Sequence, residues 1–215
     1  SKNLKVRTTK SNVDIVKKSD IIFLCVKPQD ISDVLGEIGP HLKNQLVVSI
    51  AAGVKLGYIE SKLKNARVVR VMPNIACLVG ETAAGFSLGK RATKKDASAI
   101  KKILGSAGKS FLLEEKLLDA VTAIAGSGPA FFAYFLNAII DAGRSQGLSE
   151  EKASMLAKQT LFGTAKLLIE KNLSPEQLVK IVASKGGTTE AGLEIMEQHN
   201  LKEIISEAVD KAVKR

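Results

Sequence analysis

Aromatic residues are scarce in this chain: tryptophan is absent, and aromatic residues make up 4% of the 215 residues. Proteins that bind single-stranded nucleic acid by stacking need exposed aromatic side chains. The net charge of +10 would suit nucleic acid, but the lysines are scattered in pairs and form no tract. We therefore expect no nucleic-acid partner, and interpret the charge as a lysine-rich surface that also favours a small anionic ligand.

Long apolar runs and cysteines are also lacking. We find no apolar run of the roughly 18 residues that span a bilayer, and no apolar signal-peptide core at the N-terminus, so we expect a cytoplasmic protein without a membrane partner. The two cysteines, Cys25 and Cys77, sit in apolar contexts without metal-ligand spacing. We predict that both are reduced core thiols and that the protein holds no metal.

The first half of the chain alternates short apolar runs with amphipathic stretches. Such a pattern predicts a mostly parallel sheet covered by helices on both faces, with ligands bound at the carboxyl ends of the strands. We place this α/β domain at residues 1–113. Its predicted strands are 21–26, 46–51, 67–71, 84–88 and 110–113, and its predicted helices are 13–18, 31–38, 58–63 and 94–107.

The second half, residues 114–215, is predicted to be all helical. The helices are expected at 117–124, 130–146, 150–170, 175–182, 190–198 and 201–213, with a break at 126–129 (GSGP). Residues 130–140 (AFFAYFLNAII) carry little polar surface. A helix that is apolar on several faces is deeply buried or shared between subunits. With so short a domain to bury it, we favour a dimer interface.

A loop of small residues, 183–192 (ASKGGTTEAG), precedes the predicted helix 190–198. Glycines allow a ligand to approach the backbone, and a helix N-terminus offers free N–H groups and partial positive charge. The loop is therefore a candidate site for a small carboxylate, although an ordinary helix cap has the same composition.

The glycine-rich turn of a dinucleotide-binding domain, G-x-G-x-x-G, does not occur in this sequence. The chain opens instead at residues 4–7 with a predicted strand of the kind found well inside such a fold. Two interpretations remain: a half-sheet without a cofactor, or a natural protein whose N-terminal part is absent from this sequence. We favour the second.

Five segments, in order, resemble pyrroline-5-carboxylate reductases: 23–29 (FLCVKPQ), 48–54 (VSIAAGV), 70–74 (RVMPN), 119–130 (DAVTAIAGSGPA) and 186–189 (GGTT). The resemblance implies a Rossmann-type domain, N-terminally incomplete here by roughly 50 residues, followed by a helical domain that interlocks with a second subunit. It further implies a homodimer, or a decamer built of dimers. The implied reaction passes a hydride from NADPH (or NADH) to the C=N bond of 1-pyrroline-5-carboxylate and gives L-proline, the last step of proline biosynthesis.

The resemblance also implies roles for single residues. Thr122 matches a threonine whose hydroxyl hydrogen-bonds the imine nitrogen, although without the resemblance we would favour a β-branched residue that fills a helix seam. Glu115 matches a carboxylate near the substrate, and by itself is equally a solvated glutamate at a helix start. The implied carboxylate-binding loop comprises Ser184, Gly187, Thr188 and Thr189.

The implied cofactor contacts come from three segments. Asn12 matches a residue beside the adenosine portion, and the others end the first two predicted strands: Cys25, Val26, Lys27 and Pro28, and then Ile50, Ala51 and Ala52. Small side chains after the second strand leave room for the nicotinamide. The chain departs from the family pattern at Ile75, Asn172, Ile181 and Lys185, so the contacts usually made at those positions are not carried over.

Two alternatives remain at this point. A related β-hydroxyacid dehydrogenase or imine reductase would share the two-domain plan, but it would carry a catalytic lysine on the first long helix of the second domain. A non-catalytic dimeric protein that binds a small acid is favoured only by the absent glycine-rich turn.

Overall fold

The structure is a computed structural model and describes residues 6–214. The chain divides between Pro129 and Ala130 into two compact units. The first unit therefore includes residues 114–129, which we assigned to the helical domain. The domain boundary at 113/114 stays a prediction.

A five-stranded sheet forms the centre of the first unit, with the strands in sequence order. The first three are parallel, the fourth is antiparallel to the third, and the fifth is parallel to the fourth. The strands are β1 (Ile21–Leu24), β2 (Leu46–Ser49), β3 (Arg67–Met72), β4 (Thr82–Leu88) and β5 (Gly108–Leu112). The predicted mostly parallel sheet is confirmed. The strand predicted at 4–7 is not present at Val6 and Arg7, and its first two residues lie outside the described part.

Helices cover both faces of this sheet because successive strand residues point to opposite sides. Val47 of β2 packs with α2 and α3 in one core cluster, whereas Leu46 and Val48 pack with α4 in the other. The covering helices are α1 (Asn12–Lys17), α2 (Ile31–Ile38), α3 (Leu56–Lys62) and α4 (Lys94–Gly105). The continuous apolar strands of the sequence are therefore explained by burial on two sides.

A helical stretch then crosses β4 and leads out of the unit. It begins with a 3₁₀ turn (Glu115–Leu117), continues as α5 (Leu118–Val121) and widens into a π turn (Thr122–Gly126) before α6 (Gly128–Ser145). The predicted break at 126–129 is thus only a bend at Ser127, since Gly128 and Pro129 are already helical. Proline is tolerated there because it stands in the first turn of α6.

One expectation about this stretch was wrong. By length and composition alone, Glu115–Ser145 could cross a membrane, whereas we had found no run of that length. The error came from treating 126–129 as an interruption. The finding is weak evidence for a membrane, because an apolar helix of a soluble protein passes the same test.

The second unit consists of helices alone: the rest of α6, α7 (Glu150–Glu170), α8 (Pro175–Val182), α9 (Thr188–Gln198) and α10 (Leu201–Val213). Its buried core residues are Ala153 and Ala157, both small. Large side chains remain exposed, including Tyr134 at 83% and Ile169 at 77% of their surface. A groove of about 390 Å³ between α6 and α7 is lined mainly by apolar side chains. By itself, this unit buries little of its apolar surface.

Gly85 on β4 lets α5 lie directly on the sheet. A Cβ at this position would stand 2.9 Å from a methyl of Val121 and 3.1 Å from one of Leu118. We predict that Gly85→Ala lowers the free energy of unfolding by about 1–3 kcal/mol, because the added methyl overpacks this contact. Gly36→Ala in α2 is the control: it has nothing within 4 Å and should raise stability by about 0.5–1 kcal/mol. Denaturant unfolding that found Gly85→Ala as stable as wild type would contradict the close approach.

Asp96 in the first turn of α4 is buried, yet its pKa lies below the ordinary value of 3.8. Burial alone would raise the pKa, but hydrogen bonds from Thr93 and the Arg67 guanidinium together lower it. A carboxylate with a lowered folded-state pKa stabilises the fold above its unfolded-state pKa, and this contribution is lost as the pH falls through the folded-state pKa.

We therefore predict that wild type loses stability below about pH 4 partly through Asp96. Asp96→Asn should be less stable by about 1–3 kcal/mol near pH 7, and the difference from wild type should shrink on acidification. Unfolding free energies measured from about pH 7 to about pH 3 test this. A difference independent of pH would show that the charge of Asp96 does not contribute.

Candidate active site

The carboxyl ends of β1, β2 and β3 lie at the same edge of the sheet because these strands are parallel. The segment 25–28 follows β1 and the segment 50–52 follows β2, so the fold brings these two predicted cofactor segments together. The backbone N–H of Ile50 donates to the carbonyl of Leu24 at 3.2 Å. Ala51 is buried, and its N–H donates to the Ser49 hydroxyl at 3.3 Å.

The side chains along this edge suit a dinucleotide. The small Ala51 and Ala52 add little bulk after β2. Lys27 is exposed at the end of β1, where its ammonium can meet a phosphate. Pro28 begins a 3₁₀ turn immediately afterwards. These residues fit NAD(P)H, which would supply the hydride when bound.

Asn12 bonds to a residue outside these two segments. It begins α1, and its amide donates to Glu37 Oε2 at 2.7 Å. Glu37 stands near the C-terminal end of α2, which leads back to the amino edge of the sheet. The cofactor contact of Asn12 stays a prediction.

The prediction that both cysteines lie in the core was wrong. Cys25 and Cys77 are free thiols, as expected, but both are exposed. Cys25 follows the last residue of β1, and Cys77 lies in a 3₁₀ turn after β3. Both cysteines therefore stand just beyond a strand of the sheet, although the sequence around them is apolar. Partial desolvation of the sulfur raises the pKa of Cys25, which keeps this thiol neutral at the sheet edge.

Glu115 accepts a backbone hydrogen bond and forms an ion pair. Its Oε1 accepts the N–H of Leu56, the first residue of α3, at 2.6 Å, and lies 3.3 Å from Arg70 Nη1. The glutamate therefore connects the 3₁₀ turn 115–117 with the loop that follows β2. It is not the freely solvated glutamate that the sequence left open.

Arg70 was missed by the sequence analysis. Its side chain is 1% exposed on β3, where its neighbours in register are Ser49 of β2 and Ser87 of β4, both buried. Its guanidinium contacts Glu115 and, at 3.4 Å, Asp119. A signal was present in the sequence, since an arginine interrupts the apolar run 67–71 of a strand predicted to be buried on both faces.

Thr122 is the first residue of the π turn. Its hydroxyl donates to the carbonyl of Leu118 at 2.8 Å, so its proton is used inside its own helix. The N–H of Ser127 reaches the carbonyl of Thr122 at 2.9 Å, which closes the wide turn. The hydroxyl oxygen can still accept a hydrogen bond. Turns of this kind are frequent at functional sites.

The loop before α9 has the predicted form. Gly187 is the N-cap residue, and a Cβ there would stand 2.5 Å from the Ser184 hydroxyl, so only glycine fits without displacement. Thr188 and Thr189 begin the helix. In the described chain no side chain caps α9, and the N–H groups of both threonines have no hydrogen-bond partner. Glu190, which we had not singled out, closes the loop: its Oε2 accepts the N–H of Gly186 at 2.6 Å.

Comparison with known proteins decides the family. Over 214 residues the chain is 40% identical to the pyrroline-5-carboxylate reductase of Methanosarcina acetivorans, covering 99% of this chain and 79% of that protein. The chain belongs to the pyrroline-5-carboxylate reductase family. Pyrroline-5-carboxylate reductase 2 of Bacillus subtilis is 38% identical, with 98% and 76% covered.

Family models and solved structures agree with this assignment. Residues 115–215 match the pyrroline-5-carboxylate reductase dimerisation model, and residues 1–53 match the coenzyme F420-dependent NADP oxidoreductase model. The Plasmodium falciparum pyrroline carboxylate reductase with NADP bound has a TM-score of 0.89 at 34% identity, covering 96% of this chain and 79% of that chain. The Coxiella burnetii reductase has a TM-score of 0.93 at 33% identity, covering 98% and 79%.

The family membership confirms the resemblance and the predicted fold class, a Rossmann-type sheet followed by helices. It favours the reductase over the two alternatives, the related dehydrogenase and the non-catalytic acid-binding protein. The two family models match one segment in each half of the sequence, residues 1–53 and residues 115–215.

Proposed function

We propose that this protein reduces the C=N bond of 1-pyrroline-5-carboxylate to give L-proline, the last step of proline biosynthesis, with NADPH or NADH as the hydride donor. Family membership over 99% of the chain supports the reaction. The observation that carries the site is the N-terminus of α9, which is uncapped by any side chain of the described residues and bears two threonine hydroxyls.

The substrate carboxylate would bind at this helix N-terminus. The N–H groups of Thr188 and Thr189 supply donors and the helix supplies partial positive charge, so no arginine is needed. Gly187 keeps the approach open, and the Ser184 hydroxyl lies beside it. Glu190 holds the loop through its hydrogen bond with Gly186.

The imine must be held against the hydride donor and its nitrogen must end as an amine. We assign Thr122 to the imine nitrogen. Because its proton is given to Leu118, the hydroxyl would act as an acceptor and hold the protonated imine N–H. The hydride adds to the ring carbon, and the nitrogen retains the proton taken up from solvent. Glu115, tied to Leu56 and Arg70, would shape this region rather than exchange a proton.

The cofactor would lie along the edge formed by 25–28 and 50–52, with Asn12 as a separate contact. The small side chains of Ala51 and Ala52 allow a flat ring to approach the backbone. Lys27 would pair with a phosphate. A cofactor held at the carboxyl edge of the sheet follows the general rule for such folds.

A homodimer would cover the apolar faces of the second unit. The groove between α6 and α7, with Phe135, Leu156 and Leu161 among its lining residues, is open on a single chain. The match of residues 115–215 to a dimerisation model supports this pairing. A decamer built of dimers, the cytoplasmic location and the absence of nucleic-acid and membrane partners stay predictions.

Thr189→Val tests the carboxylate site. Valine keeps the shape and removes the hydroxyl, so we expect kcat/KM for 1-pyrroline-5-carboxylate to fall about 10- to 100-fold, mostly through KM, since a hydrogen bond to a charged group is lost. Ser98→Ala, which removes a hydroxyl from α4, should change nothing. Steady-state kinetics and L-proline binding measure the effect. Unchanged affinity for 1-pyrroline-5-carboxylate and for L-proline would show that the substrate carboxylate binds elsewhere.

Thr122→Ala tests the imine contact separately. Turnover should fall by about 10-fold or more with a smaller change in substrate KM, because the hydroxyl would orient the protonated imine against the hydride donor. The same assay measures it at saturating NADPH. A variant with wild-type kcat would remove Thr122 from the mechanism.

A further inference from the structure

We propose that Arg70 is a positioning residue for this reduction: it holds Glu115 and Asp119, and through them fixes the π turn Thr122–Gly126 above the sheet edge. The proposal rests on the proposed function for its kinetic readout alone. Every residue in the argument lies in the first unit.

The burial of Arg70 is the starting point. Its side chain is 1% exposed, and its register partners, Ser49 and Ser87, are buried as well. The Ser87 hydroxyl is already used, since it donates to the carbonyl of Leu113 at 2.6 Å. A buried guanidinium without partners is strongly unfavourable, so the chain must bring anionic groups to it.

The ion pairs that Arg70 makes are a poor source of stability. The contacts to Glu115 and Asp119 are 3.3 and 3.4 Å long, and those side chains are 31% and 46% exposed. Arg70 Nε is buried and finds no hydrogen-bond partner among residues 6–214. A well-packed apolar residue often stabilises as much as such a pair does. The ion pairs of Arg70 are better explained by the segments that they hold in place.

Three segments meet at this guanidinium. Arg70 belongs to β3, Glu115 to the 3₁₀ turn before α5, and Leu56, whose N–H donates to Glu115, begins α3 after the loop that follows β2. Glu115 therefore sets the distance between the helical stretch and the predicted nicotinamide edge. Asp119 stands one helical turn before Thr122, so its contact with Arg70 sets the rotation of that turn.

A second tie holds the far end of the π turn. The amide of Asn74, just beyond β3, donates to the carbonyl of Ala125 at 3.0 Å. Its oxygen accepts the Thr82 hydroxyl at 3.0 Å, which fixes the orientation of the amide. The π turn is thus attached to the end of β3 on both sides of Thr122, and Arg70 provides the charged attachment.

The chain offers a matched control on the same strand. Arg67 lies three residues earlier and pairs with Asp96 of α4, near the opposite end of β3. Its contacts include none of the predicted site residues. Arg67→Lys and Arg70→Lys therefore make the same chemical change at two positions of one strand.

The experiment compares these two variants with wild type below their unfolding temperatures. Arg70→Lys keeps the charge but replaces the planar guanidinium by a single ammonium group, which cannot hold the carboxylates of Glu115 and Asp119 together. We expect kcat to fall about 10-fold or more while KM for 1-pyrroline-5-carboxylate changes less than about 2-fold, as for a small misplacement of reacting groups. Arg67→Lys should keep kcat within about 2-fold of wild type even if its unfolding temperature falls.

Amide hydrogen exchange gives a readout independent of activity. Residues 118–127 should exchange about 10-fold faster or more in Arg70→Lys and at the wild-type rate in Arg67→Lys. Wild-type kcat together with wild-type exchange in Arg70→Lys, or equal effects of the two variants, would overturn the proposal. If wild type itself shows no reduction, the proposed function fails, and the exchange comparison alone decides the role of Arg70.

Should Arg70→Lys fail to fold, Asp119→Asn replaces it. Asp119 is half exposed, so its neutralisation should be tolerated by the fold. We then expect a kcat decrease of about 3-fold or more and faster exchange at 118–127. Wild-type values for both quantities in Asp119→Asn would overturn the proposal equally.

Discussion

The charge of Arg70 is buried in the sheet, and the geometry around the proposed active site depends on the carboxylates that pair with it. A buried guanidinium requires carboxylates, and the nearest ones belong to a 3₁₀ turn and to α5. Glu115 in turn accepts the N–H that opens α3. One charge on β3 thereby fixes the loop after β2, the start of α3 and the helical stretch that carries Thr122.

The two units would serve different parts of the proposed reaction. The sheet provides a rigid edge at which small residues and one exposed lysine can receive a dinucleotide. The helical unit provides the uncapped N-terminus of α9, where partial charge and two hydroxyls suit a carboxylate. The helical unit buries only small core residues by itself. Burial of its exposed apolar side chains against another surface would therefore stabilise this unit.

Much of the fold could be predicted because local signals and burial agreed. Helices α7 and α8 begin at the predicted residues since Ser149 and Ser174 cap them, and the strands follow from apolar runs. The loop before α9 could be located because its glycines precede the threonines that begin the helix; its role in binding the substrate stays a proposal. Sequence could not show which carboxylates face Arg70, that Glu190 reaches back to Gly186, or that a π turn at Thr122–Gly126 leads into α6 with only a bend at Ser127. These depend on contacts between segments distant in sequence or on a small change of helical geometry.

The central claim is that this protein transfers a hydride to a cyclic imine carboxylate. The most direct measurement follows NADPH oxidation by the purified protein together with formation of L-proline when 1-pyrroline-5-carboxylate is added. The account predicts that one L-proline forms for each NADPH oxidised and that neither change occurs without the imine. Absence of L-proline at any concentration of either reactant, or NADPH oxidation that does not depend on the imine, would contradict it.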